Sequence, residues 1–150
     1  MAFSQHNSGS IYDNAVVVDN SVCMRWLFDD GSASDKRYAK NVIEKIEENS
    51  STTLVPYLWV HEAAFVVDFY ANTESIERET CMQQLDSLFA LHTVVISRVE
   101  PSEIFTFSQQ YKISAYDAAY LMLALEQKCP IATLDKKMIK VAKILDLKRF

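Results

Sequence analysis

Ala15-Val16-Val17-Val18-Asp19-Asn20-Ser21 is the stretch that decides how the rest of the chain reads. Four consecutive small or β-branched apolar residues, with no polar alternation, have the composition of a strand covered on both faces, as in a parallel sheet. The run then stops at a carboxylate. In open parallel sheets, sites form outside the carboxyl ends of the strands, which is where Asp19 falls.

Outward from this strand the chain alternates between short apolar runs and helical patterns, the mark of an α/β fold with a small parallel sheet. Further strands are expected at Thr52–Val55, Thr93–Ile96 and Ile131–Thr133. Helices are expected at Ser21–Phe28, from a Ser34 cap to Asn49, and at Tyr57–Ala71, Glu74–Leu91, Pro101–Tyr111, Ser114–Gln127 and Lys136–Leu145. Val42, Ile43 and Ile46 form the apolar stripe of the second helix; Ile76, Met82, Leu85, Leu88 and Phe89 are the expected core positions of the fourth. Only 2 glycines and 3 prolines occur in 150 residues, which disfavours a turn-rich all-β sandwich. Residues 14–150 read as a single domain, and residues 1–13 as a polar, disordered leader without the basic-then-apolar pattern of a signal peptide. Every apolar run is well short of the roughly 20 residues of a membrane helix.

A net charge of −5 without a basic tail argues against a broad positive surface for nucleic acid, though bound cations can supply positive charge locally. Cys23, Cys81 and Cys129 are widely spaced, with no pattern suited to zinc, and read as buried reduced thiols of a cytoplasmic protein. No glycine-rich phosphate loop is present.

Four carboxylates lie at the edges of apolar segments: Asp19, Glu62, Asp117 and Asp135. Three have an ordinary alternative. Asp19 is able to cap the next helix, although Asn20 and Ser21 serve equally well. Ser114-Ala115-Tyr116-Asp117 is a capping-box pattern, and Asp135 is placed to cap the last helix. Glu62 is different. Its neighbours three and four positions away are Leu58, Trp59, Phe65 and Val66, and its helix carries no Lys or Arg to pair with it. A carboxylate facing inward needs a cation, a hydrogen-bond partner or a proton. His61 and His92 have no partner pattern for general-base work, and Trp26 and Trp59 read as core or interface anchors.

Taken together and in order, these segments resemble the PIN-domain family, and in particular the VapC-type toxins of bacterial toxin–antitoxin pairs. Val17-Val18-Asp19-Asn20-Ser21-Val22 is similar to the family's first motif, and Pro56-Tyr57-Leu58-Trp59-Val60-His61-Glu62 to its second. Ser114-Ala115-Tyr116-Asp117 with the alanine-rich run to Ala124 is the most specific match, and Pro130-Ile131-Ala132-Thr133-Leu134-Asp135 the last. Two departures stand out: Phe65 occupies a position often held by Asn, and Lys112 and Lys128 stand near places where the family commonly has glycine. The resemblance implies a three-layer α/β/α fold with a parallel sheet of four to five strands. It implies an acidic pocket in which Asp19, Glu62, Asp117 and Asp135 bind Mg²⁺ or Mn²⁺, with Ser21 and Thr133 as supporting hydroxyls.

The activity so implied is metal-dependent endoribonuclease cleavage of RNA, neutralised by a cognate antitoxin protein. A homodimer is expected through apolar helix faces within residues 57–90. Arg25, Lys136 and Lys137, with Lys36 and Arg37, are the candidate grips on substrate. Two alternatives stay open on the residues alone: a non-catalytic protein-binding module on the same fold, and a metal-dependent DNA nuclease or phosphatase.

Overall fold

The computed structural model describes residues 11–150. Four parallel strands form one sheet in the order β3-β2-β1-β4. They are β1 (Ala15–Val18), β2 (Thr52–Pro56), β3 (His92–Val95) and β4 (Ile131–Ala132). Seven helices among the described residues connect and flank them: α1 (Asn20–Leu27), α2 (Ala33–Asn49), α3 (Leu58–Glu74), α4 (Arg78–Leu91), α5 (Pro101–Tyr111), α6 (Ala115–Gln127) and α7 (Lys136–Ile144). The result is the α/β/α arrangement expected. All of β1 is buried, with Val16, Val17 and Val18 fully so, as both-faced cover requires.

The chain builds outward from β1 to β2 and β3, then returns to lay β4 on the other side of β1. This reversal is the topological switch point, where an open parallel sheet leaves a crevice beyond its strand ends. Asp19 follows β1 at that point, and Thr133-Leu134-Asp135 follows β4. Beyond β4 the chain end adds a fifth edge: the Ile131 N–H donates to the Lys148 carbonyl at 3.0 Å, and the Phe150 N–H donates to the Ile131 carbonyl at 3.0 Å.

Several sequence expectations shift locally. The cap of α2 is Ser32, not Ser34: Ser32 Oγ accepts from the Asp35 N–H at 3.1 Å and Asp35 Oδ2 accepts from the Ser32 N–H at 3.2 Å. Helix α3 runs on through Glu74, stops at a left-handed Ser75, and α4 begins only at Arg78. Of the expected α4 core, Leu88 is buried, Ile76 and Leu85 are half-buried, and Met82 and Phe89 are exposed at 48% and 58%. Periodicity alone did not reveal how narrow the covered face of α4 is. Lys112 and Lys128 end α5 and α6 in the left-handed region, φ 53° and 51°, the conformation that explains why glycine suits these positions.

The three cysteines are buried and free. Tyr12, within the segment assigned to the leader, packs against the core, and residues 1–10 of that leader lie outside the described residues. No helix among the described residues is long and apolar enough to cross a membrane.

Candidate acidic site at the strand ends

Asp19 occupies the N-cap position of α1 but makes no side-chain capping bond, so its carboxylate is free of the ordinary explanation. It is only 7% exposed. One oxygen, Oδ2, accepts from Ser21 Oγ at 2.6 Å and from Thr133 Oγ1 at 2.8 Å. Each hydroxyl is itself held: Ser21 Oγ accepts from the Leu134 N–H at 3.1 Å, and Thr133 Oγ1 from the Asp135 N–H at 3.0 Å. The Asp19 N–H donates to the Ala132 carbonyl at 2.9 Å. Both hydroxyls therefore tie the ends of β1 and β4 together around one carboxylate oxygen.

Glu62 lies in the second turn of α3, half-buried, and its Oε2 accepts a 2.5 Å hydrogen bond from the Tyr120 hydroxyl on α6. The apolar surround inferred from sequence is only partly right, because Phe65 is 73% exposed and points away from the buried side. Asp117 stands in the first turn of α6. Ser114 Oγ accepts from the Asp117 N–H at 3.0 Å, but the reciprocal bond of a capping box is not formed, so the Asp117 carboxylate is not spent on the cap. Asp135 is different again. Its Oδ1 accepts from the Lys137 and Met138 N–H groups, both at 2.8 Å, making it a working N-cap of α7.

Charge shows which acids face one another. Burial pushes the Asp19 carboxyl above its usual range; the Ser21 and Thr133 hydrogen bonds oppose the shift and the Asp117 charge adds to it. Burial likewise raises Glu62, with the Tyr120 bond opposing and the charges of Asp19 and Asp117 adding. Asp19, Glu62 and Asp117 thus share one field, whereas Asp135 is tied to Asp19 by its backbone N–H, by way of the Thr133 hydroxyl. Among the described residues no ion pair links any of the four to Lys or Arg. Nor do three metal-binding side chains among them stand close enough to form a ready cage.

The basic candidates lie around rather than within this group. Arg25 pairs with Asp30 and donates to the Tyr70 hydroxyl at 3.2 Å. The Asp35 carboxyl is held low chiefly by its hydrogen bonds with Ser32, and weakly by Arg25 and Lys136, which places both cations near the start of α2. Lys136 and Lys137 are exposed at the start of α7, Arg37 is exposed, and Lys36 pairs with Asp29 at 2.5 Å.

His92 is no general base. Burial lowers it to about 4, and it sits between Cys23 Sγ at 3.3 Å and Thr53 Oγ1 at 3.1 Å, edge-on to Trp59. Tyr120 is the residue that sequence reasoning missed. Its signal was present: it follows Asp117 by three positions, hence on the same helical face.

A family profile for the PIN domain matches residues 16–144. Solved structures with a similar fold include the protein PAE2754 from Pyrobaculum aerophilum, 14% identical over 89% of this chain and 85% of its own, TM-score 0.65. VapBC2 from Rickettsia felis, bound to a DNA fragment from their promoter, is 16% identical over 91% and 97%, TM-score 0.63. FitAcB from Neisseria gonorrhoeae is 15% identical over 90% and 96%, TM-score 0.62. No curated protein matches by sequence. With the profile spanning all seven helices described, the strand-end acids and all of the sheet but Ala15, the chain belongs to the PIN domain family.

Proposed function

We propose that this protein is a magnesium- or manganese-dependent endoribonuclease, the toxin of a VapC-type toxin–antitoxin pair. PIN domains are generally metal-dependent nucleases. The observation that carries the proposal is Asp19: a buried carboxylate, held through one oxygen by two hydroxyls, facing Glu62 and Asp117, with no Lys or Arg among the described residues paired to any of the three. Like charges held together at a buried strand end raise one another's proton affinity and cost stability unless a cation joins them.

The donor set fits a hard divalent ion, since every available donor is an oxygen. The spread of the acids suits an ion that keeps several of its own waters rather than one enclosed by protein. Asp19, Glu62 and Asp117 would hold it, with Asp135 at the margin because one of its oxygens already caps α7. When bound, a divalent cation supplies charge stabilisation at the phosphate and acidifies water. The protein's part is orientation. Ser21 and Thr133 fix the Asp19 carboxylate, and the Tyr120 hydroxyl fixes Glu62. Arg25, Lys136 and Lys137 at the rim would meet the nucleic-acid backbone.

The same balance supports a protein inhibitor that brings an Arg or Lys to the acids, and the similarity of fold to VapBC2 and FitAcB is consistent with it. A cytoplasmic homodimer completes the proposal; Phe65 and Phe69 on α3 and Met82 and Phe89 on α4 are exposed apolar side chains available for it.

The test is cleavage of single-stranded RNA, single-stranded DNA and a phosphomonoester side by side with magnesium, manganese or EDTA. Metal-dependent RNA cleavage abolished by Asp19→Asn and Asp117→Asn supports the proposal. Preference for DNA or the monoester, or wild-type rates in either variant, refutes it.

A further inference from the structure

Three of the four acids share a feature that the choice of residue type alone does not require. Asp19 commits Oδ2 to Ser21 and Thr133, Asp135 commits Oδ1 to two backbone N–H groups, and Glu62 commits Oε2 to Tyr120. In each carboxylate these side-chain or capping bonds fall on a single oxygen. For Asp19 and Asp135 the donors are short-range groups beside the strand ends. For Glu62 the donor comes from another helix, 58 positions away.

Tyr120 is 1% exposed, packed in the core, yet its hydroxyl reaches out of that core to a half-buried glutamate. A buried phenol needs a partner for its O–H, and a half-buried carboxylate needs a donor; each satisfies the other. Since Tyr120 and Asp117 occupy one face of α6, a single helix both presents one acid and holds another.

We infer that Tyr120 is a positioning residue that limits Glu62 to one free oxygen and thereby favours small divalent ions over calcium. This rests on the metal-site proposal above. Calcium takes six to eight oxygens and is often bound by both oxygens of a carboxylate, whereas magnesium demands near-octahedral geometry and binds through few protein oxygens plus water. A glutamate pinned through Oε2 is a poor two-oxygen ligand and a suitable one-oxygen ligand.

The test uses the full-length protein and titrates magnesium and calcium chloride separately, reading the melting temperature and calorimetric binding, without substrate. Wild type should bind magnesium more tightly than calcium. Tyr120→Phe keeps the packing and removes only the donor; it should weaken magnesium binding about tenfold, the usual cost of losing a ligand's supporting hydrogen bond. Calcium binding should hold or strengthen, so that the preference narrows at least as much. Glu62→Gln, which keeps an acceptor for Tyr120 but removes the charge, should weaken both ions alike.

An unchanged magnesium-to-calcium ratio in Tyr120→Phe, or a wild type that prefers calcium, overturns the role of Tyr120 while leaving the metal site standing. No response of wild type to either ion overturns the metal site and this inference with it. The wild-type preference is readable even if Tyr120→Phe does not fold.

Discussion

Asp19→Asn should make the metal-free protein more stable. Asp19 is nearly sealed from solvent, and burial together with Asp117 disfavours its charge. Asparagine retains an oxygen to accept from Ser21 and Thr133, so the two hydroxyl bonds at 2.6 and 2.8 Å survive the exchange. What disappears is a charge facing Glu62 and Asp117. Removing a strained functional-site charge typically gains about 0.5–2 kcal/mol. For a chain of this size that corresponds to a rise in Tm of about 1–8 °C, taking about 2–4 °C per kcal/mol. Metal reverses the order. An ion at about a hundred times its dissociation constant adds about 2.7 kcal/mol to wild type, more than the variant's gain, and the variant forgoes this stabilisation. Differential scanning calorimetry in EDTA and in magnesium should therefore show the two melting temperatures exchanging rank, with cleavage lost in the variant. A variant that melts below wild type in EDTA refutes the reasoning, because the Asp19 charge would then be stabilising the empty fold.

Thr133→Val removes a fully buried hydroxyl that donates to Asp19 and accepts from the Asp135 N–H. It should cost about 1–3 kcal/mol in urea unfolding and reduce cleavage about 10–100-fold. Lys128→Gly should stabilise by about 0.5–1 kcal/mol, since Lys128 ends α6 at φ 51° and glycine adopts this conformation without the side-chain clash; a lowered urea midpoint counts against it. His92 is held near 4 by burial, against 6.5 when free, so the unfolded chain binds the proton more readily. Stability from this group is full above pH 6.5 and declines as pH falls toward 4, by about 3 kcal/mol at about 1.4 kcal/mol per pH unit. Asp19 and Glu62, whose carboxyls are raised, act in the opposite sense: the folded state takes up their protons first, so the stability they contribute when protonated is lost as pH rises through their raised values. Comparing urea unfolding of wild type and His92→Phe from pH 7 to 4 isolates the histidine, whose replacement should flatten the acid-side loss.

The sheet was legible because Val16, Val17 and Val18 are buried on both faces, and composition records that directly. Pro101 marked the start of α5 for an equally local reason, a ring that fits the first helical turn. The boundary between α3 and α4 was not legible, since Glu74 and Ser75 have no strong punctuation and Ser75 adopts a left-handed stop without being glycine. Met82 and Phe89 misled for a related reason. Apolar spacing on α4 is compatible with a wide covered face, and only the placement of neighbouring helices leaves those two side chains exposed.

For the site, the sequence distinguished Glu62 from the other acids by its apolar neighbours; Leu58, Trp59 and Val66 do pack in or on the core, and the fold adds a partner. Phe65 faces out; the partner is Tyr120, from a helix that nothing on α3 announces. With no Lys or Arg on α3, Glu62 calls for a cation, a hydrogen-bond partner or a proton, and a phenol answers one of its two carboxylate oxygens. What remains for a cation is the other oxygen, alongside Asp117 and Asp19. The capping question divides in the same way. Asp135 is a true cap and Asp19 is not, although both precede helices, because the Ser21 and Thr133 hydroxyls claim Asp19 before the backbone of α1 does. Which donor wins a given oxygen is a tertiary outcome, set when β1 and β4 come side by side. Residue type therefore located the four acids, whereas the competition among their donors determines how much of each is left for chemistry.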